Sequence, residues 1–176
     1  MEYFRTFAED GKPGPLVERG EVHRLGLWHK SVQVLVFNDA KEMLIQHRAD
    51  DKDLYAGLWD FSVGEHLQPD EADDLGALRG LREELGVTGV SVRRLGDPMS
   101  ITCRGDNYLD REIQQSFYAV SNGPFKPDDV EVQAVRFIGK SELSEWIAQT
   151  PELFTPWFLE QWSARLEWAE SRHLFK

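Results

Sequence analysis

The chain is short of cysteine, of basic charge and of long apolar runs, and each shortage excludes something. Cys103 is its single cysteine, so no disulfide can close within the chain and a reducing compartment is expected. Lys and Arg number 20 against 31 Asp and Glu, a net charge of −11. Such a surface repels phosphate backbones and anionic lipid heads, which excludes non-specific binding to nucleic acid or membrane. No stretch approaches the roughly 18 apolar residues of a membrane span. The opening "MEYFRTFAEDGKPGP" has no apolar signal core. The expected location is therefore cytoplasmic. Repeats, low-complexity tracts and linker-like stretches are missing too, so residues 1–176 read as one domain with residues 1–20 as an irregular N-terminal arm.

What is present is an alternation of strand and helix patterns. The segments 31–38 (SVQVLVFN), 43–48, 58–63, 90–96, 111–121 and 131–139 are rich in β-branched and apolar residues and read as strands. Between them, Leu75, Leu78, Leu81 and Leu85 recur at three and four residues, a helical stripe that Gly86 ends. The segment KSELSEWIAQT reads as a short helix capped by Ser141, and the C-terminal segment as a long helix interrupted early by Pro156. Residues 101–112 (ITCRGDNYLDRE) read as a polar loop suited to substrate specificity. Strands, a central helix, more strands and then helices predict an α/β sandwich with a mixed β-sheet. Trp157, Trp162 and Trp168 crowd the last helix. They either dock it or make a contact between copies, so a homodimer is one expected assembly.

The central helix carries acids in a telling order. Glu83 lies one turn after Arg79 with Glu84 beside it, and Glu71 lies two turns before Arg79. Adjacent glutamates near a helix end can aim at one cation from its edge, and hard oxygen ligands suit Mg²⁺ or Mn²⁺, which bridge phosphates. An acidic helix face that is merely solvated is the alternative.

Gly64, Glu71, Arg79, Leu81, Glu83, Glu84, Gly86 and Val87 resemble the Nudix box, G-x5-E-x7-R-E-U-x-E-E-x-G-U. There are two departures: one extra residue between Gly64 and Glu71, and Gly80 where the box has a glutamate. From about residue 19 to 160 the chain is also similar to the type I isopentenyl-diphosphate isomerases. The similarity lies in LWHKSVQVLVF, HRADDK, LWDFSVGEHLQ, DREI and FTPW.

The resemblance implies a Nudix-like α/β/α sandwich with a mixed β-sheet and a C-terminal helix. It implies that Arg48 and Lys52 hold a small-molecule diphosphate, with Arg19 a further candidate. It implies a second divalent metal, Zn²⁺, Mn²⁺ or Mg²⁺, in a cage of His23, His29, His66, Asp110 and Glu112. Trp157 matches an aromatic that lines the isomerase pocket, though simple core packing is the favoured account of it. Gly64 stands where those isomerases carry their catalytic cysteine, and glycine can neither donate nor accept the proton that allylic isomerisation moves. The expectation is thus a metal-dependent hydrolase of a phosphoanhydride. In it Glu83 and Glu84 hold the catalytic metal, Glu112 is a base or further ligand, and Gly64, Glu71, Arg79 and Gly86 frame the box. The rivals are an isomerase-like enzyme with another proton donor and a non-catalytic diphosphate-binding module, which Gly80 favours.

Overall fold

The computed structural model describes residues 2–50, 54–105, 108–128 and 130–176. β1 (Tyr3–Phe7) and β2 (Pro13–Glu18) form a hairpin where the sequence suggested an irregular arm. Phe4 and Thr6 alternate inward along β1, and the prolines that disguise β2 are tolerated on an edge strand. α1 (Arg19–Leu25) follows, ended by Gly26 in the left-handed conformation. β3 (Trp28–Phe37) is the axis of the molecule: Val32, Val34 and Val36 point to one face of the sheet, Leu35 and Phe37 to the other.

β4 (Met43–Arg48) meets β3 only at Phe37–Met43, after which the two diverge. β5 (Trp59–Asp60) pairs with β4, whereas β6 (Val63–His66) pairs with β3. The single strand expected over 58–63 is therefore two short strands on either side of a split in the sheet. α2 (Asp73–Leu85) comes next. Of the strand expected over 90–96 only β7 (Arg93–Arg94) forms. β8 (Met99–Gly105) and β9 (Tyr108–Val120) pair antiparallel, so 101–105 and 108–112 are paired strand rather than loop. Their polarity marks a cavity wall. β9 runs parallel to β3 from Trp28–Arg111 to Phe37–Val120, which makes the sheet mixed, and β10 (Val132–Ile138) closes it against β4.

α2 covers the face of Val32, Val34 and Val36. Its buried face is Gly76, Ala77, Gly80, Leu81, Glu84 and Leu85, while Leu75 is exposed, so the leucine stripe is only half buried. The small residues let the helix backbone close on the sheet: a Cβ at Gly76 would lie 2.2 Å from Leu67 Cδ2. The opposite face is covered by α3 (Lys140–Gln149), which starts after Gly139 rather than at a Ser141 cap, and by α4 (Pro156–Ser171). Pro156 is the first residue of α4, where its missing N–H costs nothing, and Thr155 caps the Phe158 amide. It starts that helix rather than interrupting it. Phe158, stacked on Phe61 and Trp162, docks α4 on the sheet. Burial of such a ring contributes roughly 1.5–3 kcal/mol. Helix, sheet and helices thus make an α/β/α sandwich with a C-terminal helix.

Candidate active site

Residues paired across strands share a face of the sheet, and the register builds one site on the α4 side. His29 pairs with Glu112, Ser31 with His66 and with Gln114, Gln33 with Gly64, and Cys103 with Asp110. α1 lowers His23 onto this surface. His23, His29, His66 and Asp110 each offer a ligand atom, and these atoms lie within 4.8 Å of one another. Asp110 Oδ1 is 3.4 Å from His29 Nε2 and 3.8 Å from His23 Nε2, and Glu112 Oε1 is 3.1 Å from His66 Nε2. Yet the three Nε2 atoms and Asp110 Oδ1 are buried without a well-directed hydrogen bond. Phe4 stacks on His29 and leans on His66, closing one side of the cluster.

The protonation of the cluster follows from its surroundings. Burial pushes His23 down to about 3 and His29 down to about 4, so both rings are neutral at pH 7. His29 Nδ1 lies 3.1 Å from the Leu27 carbonyl, which places the proton there and leaves the Nε2 lone pair bare. Burial opposes a charge on His66, but Glu112 against it raises its pKa. Burial likewise opposes a charge on Glu112, and His66 and His29 overcome it, helped by the Ser31 hydroxyl. Ser31 Oγ and Gln114 Nε2 both donate to Glu112 Oε2. Burial and Glu112 together push Asp110 up. This donor set of imidazoles and carboxylates could hold a divalent cation.

The cage opens on a cavity of about 660 Å³ that reaches Gly64 and Arg48. A Cβ at Gly64 would meet nothing within 4 Å, and its backbone is not in the left-handed region, so nothing local requires glycine there. Its missing side chain is room in the cavity. Arg48 lines the wall but is partly engaged. It donates to the Leu54 and Tyr55 carbonyls at 3.0 and 3.3 Å, sits 3.5 Å from Asp60 Oδ2, and lies over the Trp157 ring. Trp157 Nε1 donates to both oxygens of buried Asp60. Burial raises Asp60 to about 6 despite Arg48. Arg19 lines the mouth, half exposed, 3.5 Å from Glu2. Lys52 lies outside the described residues. His47 pairs with Gln133 and packs on Trp59, apart from the cage.

The box is organised around Arg79. It grips Glu71 through two nitrogens at 3.0 and 2.8 Å, reaches Glu65 at 3.0 Å and Glu83 at 3.3 Å, and donates to the His66 carbonyl at 2.8 Å. The clamp therefore fixes the strand end that carries His66. Gly86 closes α2 at φ 66°, donating to the Arg82 and Leu81 carbonyls. Glu83 and Glu84 are not brought to one point. Glu83 is exposed between Arg79 and Arg82, whereas Glu84 is buried, accepts from Gln46 at 3.1 Å, and lines a small recess with Gly64, Asp60 and Arg48. Counted back from Glu71, the box glycine falls on Glu65 rather than Gly64. Glu65 points away from the cavity, under α2, into the room that Gly80 leaves: a Cβ at Gly80 would sit 3.1 Å from Glu65 Cβ and 2.7 Å from Val63 Cγ1.

Sequence reasoning missed four residues of this wall. Cys103 faces the cavity 3.8 Å from Tyr55 Oη, Tyr108 donates to Asp110 at 3.0 Å, and Asp60 anchors Trp157. Gln114 holds Glu112. Alternation through 101–114 was the signal that could have found three of them, because 101, 103, 108, 110, 112 and 114 all line the cavity.

A NUDIX domain family model matches residues 27–158. Isopentenyl-diphosphate Delta-isomerase of Ruegeria pomeroyi is 36% identical over 146 residues, covering 80% of this chain and 79% of that protein. The protein of the same name from Cereibacter sphaeroides is 36% identical over 151 residues, 84% of each chain. Among solved structures, DR0079 of Deinococcus radiodurans superposes with a TM-score of 0.69 at 19% identity, over 84% of this chain and 90% of that one. The Nudix hydrolase RenU of M. smegmatis gives 0.60 at 17% identity, over 95% and 94%. These two similarities speak for the fold alone. The chain belongs to the NUDIX domain family, in the branch that holds the isopentenyl-diphosphate isomerases.

Proposed function

We propose that the protein is a divalent-metal-dependent hydrolase that cleaves the phosphoanhydride of a small diphosphate compound. The observation that carries this reading is the pairing of the buried, poorly satisfied His23, His29, His66 and Asp110 with the open space at Gly64 across one cavity. Those four residues, with Glu112 beside them, would hold Mn²⁺ or Mg²⁺. Such a cation supplies Lewis acidity, lowering the pKa of water and neutralising phosphate oxygens. Glu112, steadied by Ser31 and Gln114, is the candidate to take the proton of the attacking water. The water oxygen bonds to phosphorus, the bridging P–O bond breaks, and the departing phosphate leaves with the electron pair. Arg19 and Arg48, with Lys52 as expected from the sequence, supply positive charge for the phosphates. Glu84, in the recess beside Gly64, is the box carboxylate within reach of the same ligand.

Isomerisation, the reaction for which the relatives are named, is the second reading. One observation favours it: Cys103 lines this cavity, and burial keeps its thiol protonated. A single panel separates the two. The protein is incubated with nucleoside diphosphates, nucleoside triphosphates, dinucleotides and isopentenyl diphosphate in Mg²⁺ or Mn²⁺, and phosphate release and double-bond migration are followed separately. Phosphate release is the expected result. Isomer formation without it would establish the second reading, and binding without any turnover would leave a non-catalytic module.

A further inference from the structure

α2 leaves part of its sheet face bare. It covers Val32, Val34 and Val36, but the same face runs on past the start of the helix. There the register lines up Phe7, Trp28, Arg111 and Thr102 across β1, β3, β9 and β8, with Lys30, Ile113 and Ser100 as the next row. Leu16 sits opposite Arg5 and carries the face out to β2. Phe7, Trp28 and Ile113 are half-buried, and Tyr3 and Leu16 are each 45% exposed. A sheet face left to water normally reads polar, whereas this one carries aromatic and aliphatic side chains.

Its charges are sorted. The chain totals −11, yet this face holds Arg5, Lys30, Arg94, Arg104 and Arg111. The acids stand along one border, where α2 begins: Asp70, Asp73 and Asp74, beside Leu75, which is 57% exposed. Part of this charge is matched within the chain. Arg5 meets Asp70 at 3.0 Å, and Lys30 and Arg94 meet Asp73 at 3.3 and 3.5 Å. Arg111 rests on the Trp28 ring, and Lys30 on Phe7. Cations lying over rings could make a self-contained surface. They leave Tyr3, Leu16 and Leu75 in water, however, and among the described residues neither Arg104 nor Arg111 has an ion-pair partner.

We propose that this face, with the first turn of α2 as its acidic border, is where a second copy of the chain docks about a two-fold axis. In such an interface every contact is made twice, cation on acid and acid on cation. An axis through the cationic rows would set guanidinium against guanidinium, so it lies between those rows and the start of α2. The acidic border of each copy then covers the Trp28 and Arg104 side of the other. A polyanion fits less well, because it would meet the same border and the negative charge of the whole chain. The C-terminal tryptophans, the contact between copies that the sequence suggested, are engaged elsewhere: Trp162 is in the core and Trp157 is bonded to Asp60. The surface lies on the opposite side of the sheet from the cavity, so the inference holds whichever reaction the cavity supports.

Sedimentation velocity of the full chain from about 1 to 100 µM tests it. The wild type is expected to show a monomer–dimer equilibrium. Arg104→Glu and Asp74→Lys, both at exposed positions and checked by circular dichroism, should each weaken it by about tenfold or more. Mixing the two variants should restore association, because each then offers the charge that the other lacks. A wild type that stays monomeric, a dimer that neither variant weakens, variants that do not rescue one another, or an assembly larger than a dimer would overturn the proposal. So would a monomer that binds a fluorescent oligouridylate or polyglutamate and loses it in Arg104→Glu, which would give the face to an acidic polymer.

Discussion

Two regions concentrate acids, and they treat them in opposite ways. Around Arg79 the acids of the box are held by charge, with Glu71, Glu65 and Glu83 gathered on its guanidinium, while Glu84 accepts from Gln46. In the cage, three imidazole nitrogens and a carboxylate oxygen converge without a well-directed hydrogen bond among the described residues. A satisfied network holds a shape, whereas an unsatisfied one is stable only with something added. In the function proposed above the box helix acts as a clamp, whose Arg79 donates to the His66 carbonyl, and the cage is the part that would take a metal ion.

The strongest way to break this contrast is to remove a cage ligand. Asp110→Asn or His29→Ala should lower phosphate release by about a hundredfold or more, with the fold intact by circular dichroism. Next comes the clamp. Arg79→Ala leaves Glu65 and Glu71 partly buried beside each other and should cost on the order of 3 kcal/mol, read as a lower urea midpoint. A box that acted only as a solvated surface would give a change within about 0.5 kcal/mol.

The two box glutamates sharpen the comparison further. Glu84→Gln, in the recess beside Gly64, should slow hydrolysis by about tenfold, while Glu83→Gln on the surface should change rate and stability little. Equal effects in steady-state assays would put both on one metal, as the sequence pattern suggested.

A further effect is in the pH dependence of stability. The Asp60 carboxyl ordinarily ionises near 3.8 and is raised to about 6 in the fold. Below the first value both folded and unfolded chains are protonated there, and above the second both are ionised. Between them the unfolded chain releases its proton first. The contribution of Asp60 is therefore greatest below pH 4 and falls by on the order of 3 kcal/mol as pH rises through about 6. Urea unfolding from pH 4 to pH 7 should show this slope in the wild type and lose it in Asp60→Asn.

Much of this was legible in the sequence because it depends on local pattern. β-Branched and apolar runs mark β3, β4, β9 and β10, and the leucine and glycine spacing marks α2. The Glu71–Arg79 pair and the shared face of Asp110 and Glu112 followed from helix and strand periodicity. What was hidden depends on distant neighbours. Glu65 and Gly80 are an exchange of space across two elements. Phe7, Trp28, Arg111 and Thr102 come from four, and no spacing along the chain announces their row. The N-terminal hairpin was hidden by its glycines and prolines, although Phe4 closes one side of the cage.

The central claim is that the cage, not the box, holds the metal. Elemental analysis of purified protein loaded with Mn²⁺ and dialysed tests it most directly. A single divalent ion per chain that is lost in Asp110→Asn and in His29→Ala but kept in Glu83→Gln is the predicted result. A wild type that retains no ion, or a Glu83→Gln variant stripped as fully as Asp110→Asn, would contradict it.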